Sequence, residues 1–244
     1  MPEGFSAFPT THWTAVVEEA NSGDIERRRR AFDALCRDYW KPLYAFARRL
    51  GHDSHEAEDL TQGFFAYLLQ HATLGSATPE LGRLRSFLLK VFQRYIRDVR
   101  HRDSAQKRGG TAPIYSLNVD EGDEMLVIEV AGEETPEMLY DRAWARALLR
   151  GTLQDLGAME QAAGRGPLFE ALKSQLNAET EEEESREQAA LTLGMSGDSI
   201  RQAISRLRKK FRDCLRQRIA ATLQEPSDSL IDEELHALKA ALLQ

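Results

Sequence analysis

A run of basic and polar side chains near the end of the chain has the composition of a surface that contacts nucleic acid. Residues 199–218 hold eight basic residues and one acidic residue. Arginine and glutamine can form paired hydrogen bonds with base edges, whereas serine, lysine and further arginines suit phosphates. The side chains that helical spacing brings to one face are Arg201, Gln202, Ser205, Arg206, Lys209 and Arg212. A solvated basic helix face is the alternative interpretation of this pattern.

A helix must position these side chains, and apolar residues at intervals of three or four predict one over residues 198–218. The recurring apolar residues are Ile200, Ile204, Leu207, Phe211 and Leu215. A shorter helix is expected over residues 185–193, and the glycine-containing segment 194–197 is expected to form a turn. Two helices joined by such a turn predict a helix-turn-helix, in which Ser196 or Asp198 caps the second helix.

Two further segments are strongly basic, although the whole chain has a formal net charge of −7. Residues 27–50 hold eight basic and two acidic residues, and residues 83–110 hold nine basic and two acidic residues. Residues 120–141, by contrast, hold nine acidic residues and no lysine or arginine. The basic blocks predict a polyanionic partner. The acidic segment either competes with DNA phosphates for these blocks in the free protein or only keeps a basic protein soluble.

The rest of the chain carries mainly helical spacing. In the first 110 residues, helices are expected over residues 31–50 with a kink or break at Pro42, from Asp53 or Ser54 to Leu69, and over residues 83–102. Residues 111–136 are interpreted as an acidic linker in which 125–130 is a candidate strand. Further helices are expected over residues 137–156 and 168–176.

Three aromatic residues lie within the basic helix expected over residues 83–102: Phe87, Phe92 and Tyr95. Aromatic rings in a basic helix can stack on exposed bases, at about 1–3 kcal/mol per base. Phe87 and Tyr95 fall on the apolar face and are predicted core residues. Phe92 is less easily explained as core and is the better candidate for stacking.

Three separated motifs resemble bacterial RNA polymerase sigma factors. The sequence EAEDLTQGFF at residues 56–65 resembles their polymerase-binding motif. The sequence SFLLKVFQR at residues 86–94 resembles the helix that melts and reads the minus-ten promoter element. The sequence LGMS at residues 193–196, followed by Ile200 and Ile204, resembles the helix-turn-helix that reads the minus-thirty-five element. Their order and the linker between them resemble the short extracytoplasmic-function type.

The resemblance implies three sets of site residues. Those implied for core polymerase are Glu56, Asp59, Gln62 and Phe65. Those implied for the minus-ten element are Lys90, Gln93, Arg94, Arg97 and Arg100. Those implied for the minus-thirty-five element are Ser199, Arg201, Gln202, Ser205, Arg206 and Lys209. The sequence departs from the family pattern at Gly63, where an acid is usual, at Gln93-Arg94 in place of Arg-Asn, in its long linker and in its C-terminal tail.

The expected fold class is all-α, with two helical domains joined by an acidic linker and a helix-turn-helix in the second domain. Residues 1–110 are expected to form the region-two-like domain, 111–164 the linker with a helix, 165–224 the region-four-like domain and 225–244 a helical tail. The tail carries an apolar stripe that needs a partner in water. Its members are Leu230, Ile231, Leu235, Leu238 and Leu242.

The sequence favours a sigma factor over an enzyme. His52, His55, Glu56 and Asp59 have helical spacing, but the histidines flank a predicted helix cap, so no metal, cofactor or catalytic residue is expected. Two cysteines far apart suit the reducing cytoplasm, and membrane insertion is not expected. The implied partners are core RNA polymerase and promoter DNA, with an anti-sigma factor as a further candidate. The alternative function is a helix-turn-helix regulator that acts without core polymerase.

Overall fold

The computed structural model describes residues 24–71, 82–106, 134–176 and 183–243. These residues form eight α-helices and a short 3-10 helix at Lys173–Leu176, without a strand, so the all-α prediction is confirmed. The α-helices are α1 (Ile25–Arg49), α2 (Ser54–His71), α3 (Leu84–Gln106), α4 (Pro136–Ala162), α5 (Gly166–Leu172), α6 (Glu183–Leu193), α7 (Gly197–Ala220) and α8 (Asp228–Leu243). Among the described helices, none has the length and apolar character required to cross a membrane.

The predicted break at Pro42 is wrong, because α1 continues through this proline. A proline inside a helix costs about 3 kcal/mol through its missing N–H and its steric clash. Tyr39 and Leu43, on either side of it, are 2% and 0% exposed, and their burial offsets that cost. The linker with its candidate strand at 125–130 lies almost wholly outside the described residues.

The chain divides into two compact units. Unit 1 comprises residues 1–147 together with residues 220–244, and unit 2 comprises Leu148–Ile219. Helix α4 therefore contributes its first part to unit 1 and its second part to unit 2, and α8 belongs to unit 1. The domains expected from the sequence are defined by function, whereas these two units are defined by packing. The functional domains therefore stay a prediction.

The core of unit 1 joins α1, α2 and α3 through aromatic rings. Phe64 of α2 lies with its ring centroid 4.9 Å from that of Phe92 of α3, and Phe92 lies 6.2 Å from Phe46 of α1. All three side chains are at most 1% exposed. Edge and tilted contacts of this kind add to the free energy gained by burying the rings. These contacts fix the orientation of α2 and α3 relative to α1, and therefore which side chains of the two helices face outward.

The core of unit 2 places α7 against the three helices before it. Its buried side chains are Leu156 of α4, Phe169 and Leu172 of α5, Ala189 of α6, and Ile200, Ala203, Ile204, Leu207 and Cys214 of α7. The apolar stripe predicted for residues 198–218 is thus largely inside. The opposite side of α7 is left facing solvent.

Candidate nucleic-acid and polymerase interface

A short turn between α6 and α7 sets the start of the basic helix. Gly194 has a φ of +64°, a left-handed conformation that a residue with a side chain adopts only with strain. The Met195 amide donates to the Ala190 carbonyl at 3.0 Å, which closes α6. The Ser199 amide donates to Ser196 Oγ at 3.3 Å, so Ser196, rather than Asp198, is the cap of α7.

The predicted minus-thirty-five residues lie together on the solvent side of α7. Exposed side chains are those of Arg201, Gln202, Ser205, Arg206 and Lys209, and also of Arg212. Ser199 is half-buried and its hydroxyl lies 2.9 Å from that of Ser196. At 100° per residue, these positions span less than half of the helix circumference. The arrangement suits a helix that enters the major groove.

Several basic side chains of α7 form contacts within unit 2. Lys210 Nζ lies 2.5 Å from Glu160 Oε1, and Arg218 donates to Asp155 Oδ2 at 2.5 Å. The Arg208 guanidinium donates to the Gln175 carbonyl at 3.0 and 3.2 Å. These side chains hold α7 against its neighbours, so the basic character of the outer face is smaller than the composition of residues 199–218 indicates.

A groove of about 530 Å³ runs beside the exposed face of α7. Arg186 of α6 and Arg201, Arg208 and Arg212 of α7 line its walls. Ile204 and Phe211 contribute apolar surface. This concentration of guanidinium groups produces the positive potential that a phosphate backbone requires.

The predicted minus-ten residues lie on the outer side of α3. Lys90, Arg94, Arg97 and Arg100 are exposed and Gln93 is half-buried. Their positions fall within an arc of about 120° at 100° per residue. Gln93 donates to Glu137 Oε1 at 3.3 Å, and Arg100 donates to His52 Nε2 at 3.1 Å. The structure thus brings these five residues onto one face of α3.

Phe92 is not on that face, and the hypothesis that it stacks on bases is wrong for this conformation. Its side chain is 0% exposed and packs between Phe46 and Phe64. The aromatic spacing of α3 alone could not reveal this, because the rings that cover Phe92 belong to other helices. Phe87 is buried as expected, and Tyr95 is half-buried with its ring centroid 5.8 Å from that of Phe64.

The predicted polymerase-binding residues of α2 separate into surface and core. Asp59 is exposed and Gln62, one turn later, is half-buried. Phe65 is only 2% exposed and belongs to the core of unit 1. Glu56 is exposed and completes a capping box: its amide donates to Asp53 Oδ1 at 2.9 Å, while its Oε2 accepts from the Asp53 amide at 3.4 Å.

His52 connects the start of α2 with α3. Its Nδ1 lies 3.3 Å from Glu56 Oε2, and its Nε2 accepts from Arg100. A neutral imidazole protonated at Nδ1 satisfies both contacts. Within the described ranges, no three histidine, cysteine, aspartate or glutamate side chains are grouped to hold a metal ion.

Arg85 lies at the centre of a side-chain cluster that the sequence did not predict. The Arg85 guanidinium binds Glu234 at 2.9 and 3.1 Å and Asp141 at 2.6 Å, and its Cζ lies 4.7 Å from the centroid of the Trp144 ring. The side chains of Arg85 and Glu234 are 13% and 1% exposed. Burial raises the pKa of the Asp141 carboxyl, and Arg85 opposes that shift. Since Glu234 follows Arg85 by 149 residues, no local pattern could pair them.

Comparison with known proteins identifies one part of the chain. Residues 35–106 match the family model for Sigma-70 region 2. The matched segment begins within α1, includes α2 and ends with the last residue of α3, so it carries the α2 and α3 surfaces described above. Searches of curated proteins and of solved structures gave no match.

Proposed function

We propose that this chain is a sigma factor of the sigma-70 family, which binds core RNA polymerase and directs it to specific promoters. The observation that carries the proposal is the match over α1–α3, which lies within one compact unit. We further assign it to the extracytoplasmic-function type. It acts in the cytoplasm as a non-catalytic initiation factor, with an anti-sigma factor as a further candidate partner.

The proposed contact with core polymerase is the outer side of α2 at Asp59 and Gln62. The other side of this helix is buried through Ala57, Leu60 and Phe64, which leaves the polar side available. Two polar residues one turn apart can meet the same partner surface. Phe65 supports this surface from within the core, and Glu56 fixes the first turn of the helix.

The proposed contacts with DNA are divided between the two units. The outer side of α3 in unit 1 reads the minus-ten element, and the outer side of α7 in unit 2 reads the minus-thirty-five element. Exposed arginines and lysines on both helices supply sequence-independent attraction to phosphates. Arg201 and Gln202 near the start of α7 have the side chains suited to paired hydrogen bonds with base edges.

Titration with labelled core polymerase, followed by run-off transcription, tests the function. We expect the parent protein to bind core and to initiate at its promoters. Asp59→Arg combined with Gln62→Ala should weaken core binding about tenfold or more, because charge reversal in a contact surface is unfavourable. Helical content, measured by circular dichroism, should be unchanged.

The matched control places the same two kinds of substitution in unit 2, at the exposed residues Glu170→Arg and Gln188→Ala, and should bind core like the parent. Unchanged affinity of the α2 variant would reject this surface. A parent protein that binds duplex DNA but not core polymerase would instead favour a helix-turn-helix regulator that acts without polymerase.

A further inference from the structure

The connection between α1 and α2 fixes the backbone of His52 from both sides. Gly51 has a φ of +93°, and its amide donates to the Arg48 carbonyl at 3.1 Å. The His52 amide donates to the Ala47 carbonyl at 3.4 Å. A left-handed glycine with these two hydrogen bonds is a Schellman motif, which closes the end of α1. The next residue, Asp53, caps α2. His52 therefore lies between two helix caps, which fix where its side chain begins.

The position of the ring proton of His52 follows from its two partners. A guanidinium can only donate, and Nη2 of Arg100 lies 3.1 Å from His52 Nε2. Nε2 therefore carries the lone pair, and the proton lies on Nδ1, which is 3.3 Å from Glu56 Oε2. The His52 side chain is 15% exposed. Glu56, His52 and Arg100 thus form a chain of hydrogen bonds from the first turn of α2 to the outer side of α3.

The contact with His52 restricts a side chain of the proposed minus-ten surface. Arg100 is exposed, and an exposed arginine that becomes ordered on binding loses conformational entropy. The hydrogen bond to His52 uses one guanidinium N–H and leaves the others for a phosphate or a base edge. A guanidinium that is oriented before binding loses less entropy when it meets DNA, so the contact favours binding.

We propose that His52 is a positioning residue for Arg100. The neutral imidazole, oriented by Glu56, holds the guanidinium in the direction in which it contacts the minus-ten element, and His52 itself does not touch DNA. This inference rests on the proposed function for its consequence in transcription. The position of the ring proton and its dependence on Arg100 are measured in the free protein.

Nitrogen NMR of the full-length protein with isotope-labelled histidine tests the orientation of the ring. The signals of His52 are identified by their loss in His52→Gln. We expect the Nδ1-protonated tautomer of His52 in the parent at about pH 8, where histidine is ordinarily neutral. Arg100→Ala removes the donor to Nε2 and should lower the population of this tautomer.

The matched control is Arg97→Ala, which removes an exposed arginine one turn earlier on the same face and should leave the His52 signals unchanged. A ring of His52 that carries its proton on Nε2 in the parent would overturn the proposal, whatever transcription shows. A ring that does not respond to Arg100→Ala would overturn it equally.

A double-mutant cycle on promoter affinity tests whether His52 acts through Arg100. Each variant is combined with core polymerase, and its affinity for a promoter fragment is measured. His52→Ala should lower the affinity about three- to tenfold, since Arg100 then becomes ordered only on binding. In an Arg100→Ala background the same change should have less than about a twofold effect. His52→Gln keeps an oxygen that accepts from Arg100 and should recover most of the loss.

The control for the cycle is His236→Ala, because His236 is an exposed histidine of unit 1 whose hydrogen bond to the Asp232 carbonyl stays within α8. This variant should bind the promoter like the parent. Equal losses from His52→Ala with and without Arg100 would overturn the proposal, because the effect would not pass through Arg100. A parent that fails to bind core polymerase would contradict the proposed function instead, and the NMR comparison would then decide the role of His52.

Discussion

At the scale of single residues, Glu160 determines where two cations of unit 2 point. Its side chain is 2% exposed and lies between Arg165, at 2.6 Å, and Lys210, at 2.5 Å. The hydrogen bond from Arg165 is the main cause that holds the pKa of Glu160 below its ordinary value, and Lys210 adds to it. Lys210 is thereby held against the protein by its contact with Glu160.

Glu160→Gln should lower the free energy of unfolding at pH 7 by about 1–3 kcal/mol, because two cations lose their ionised partner. The folded-state pKa of Glu160 is depressed, so its stabilisation is present above the unfolded-state pKa and is lost as the pH falls through the folded value. Urea unfolding of parent and variant should therefore converge at acidic pH, below about 4.

The matched control for this prediction is Glu170→Gln. Glu170 pairs with Lys173 three residues away, and both side chains are well exposed, so the change should cost less than about 1 kcal/mol. A difference between Glu160→Gln and the parent that stayed constant from neutral to acidic pH would contradict the charge-based explanation.

The sequence predicted the outer residues of α7 well and the inner cations poorly. Arg201, Gln202 and Lys209 are exposed as the helical spacing indicated. Lys210 belongs to the same basic run, yet its partner Glu160 lies 50 residues earlier in another helix. Periodicity within one helix separates apolar from polar positions, but it carries no information about which distant carboxylate a cation meets.

At the scale of elements, Gly63 and Tyr95 show how two helices approach closely. A Cβ atom at Gly63 of α2 would lie 2.3 Å from the Tyr95 hydroxyl oxygen of α3. This close approach gives a physical reason for a glycine at position 63, where the motif that the sequence resembles usually has an acid. The next two atoms of the Tyr95 ring lie at 3.5 and 4.0 Å, which are ordinary contact distances.

A double-mutant cycle should measure this interaction. Gly63→Ala alone gains helix propensity but displaces the Tyr95 hydroxyl, whereas in a Tyr95→Phe background the same change should stabilise the protein by up to about 1 kcal/mol. The coupling free energy from urea unfolding should exceed about 0.5 kcal/mol. Additive effects of the two substitutions would show that the hydroxyl does not restrict position 63.

The positions of the helices in the sequence could be predicted better than the residues against which they pack. The apolar spacing located α2 and α3 because each buries one continuous stripe. The spacing within α3 placed Phe92 outside the core. That prediction failed because Phe46 and Phe64, which cover the Phe92 ring, belong to other helices. The attachment of α8 could not be predicted either, since its buried residues are Glu234, Leu238 and Ala241, and only Leu238 belongs to the predicted apolar stripe. Leu242 of that stripe is 38% exposed.

At the scale of the whole molecule, the proposed function requires that two surfaces read two parts of one promoter. Arg201→Ala with Gln202→Ala should relax base preference only in the upstream element, by about 1–3 kcal/mol for each side chain that forms paired hydrogen bonds with a base. Gln93→Ala with Arg94→Ala should change preference only in the downstream element. Transcription from a library of promoter variants, with each protein added to core polymerase, measures both effects.

Lys209→Ala is the control for this separation. A residue that contacts phosphate should, when replaced, weaken binding on every sequence alike and reduce the slope of log affinity against log salt by about one. If the variants at Arg201 and Gln202 behaved in the same way as Lys209→Ala, α7 would bind phosphates without reading bases.

The return of residues 220–243 to unit 1 fixes the order in which this protein can be completed during its synthesis. The ribosome makes α1–α3 first and α8 last, and Glu234 follows Arg85 by 149 residues. At about 5–20 residues per second, this separation corresponds to a delay of roughly 7–30 s. The residues of unit 2 are contiguous and emerge within that interval. Unit 1, whose first helices are made before unit 2, is consequently the last to acquire its full set of native contacts.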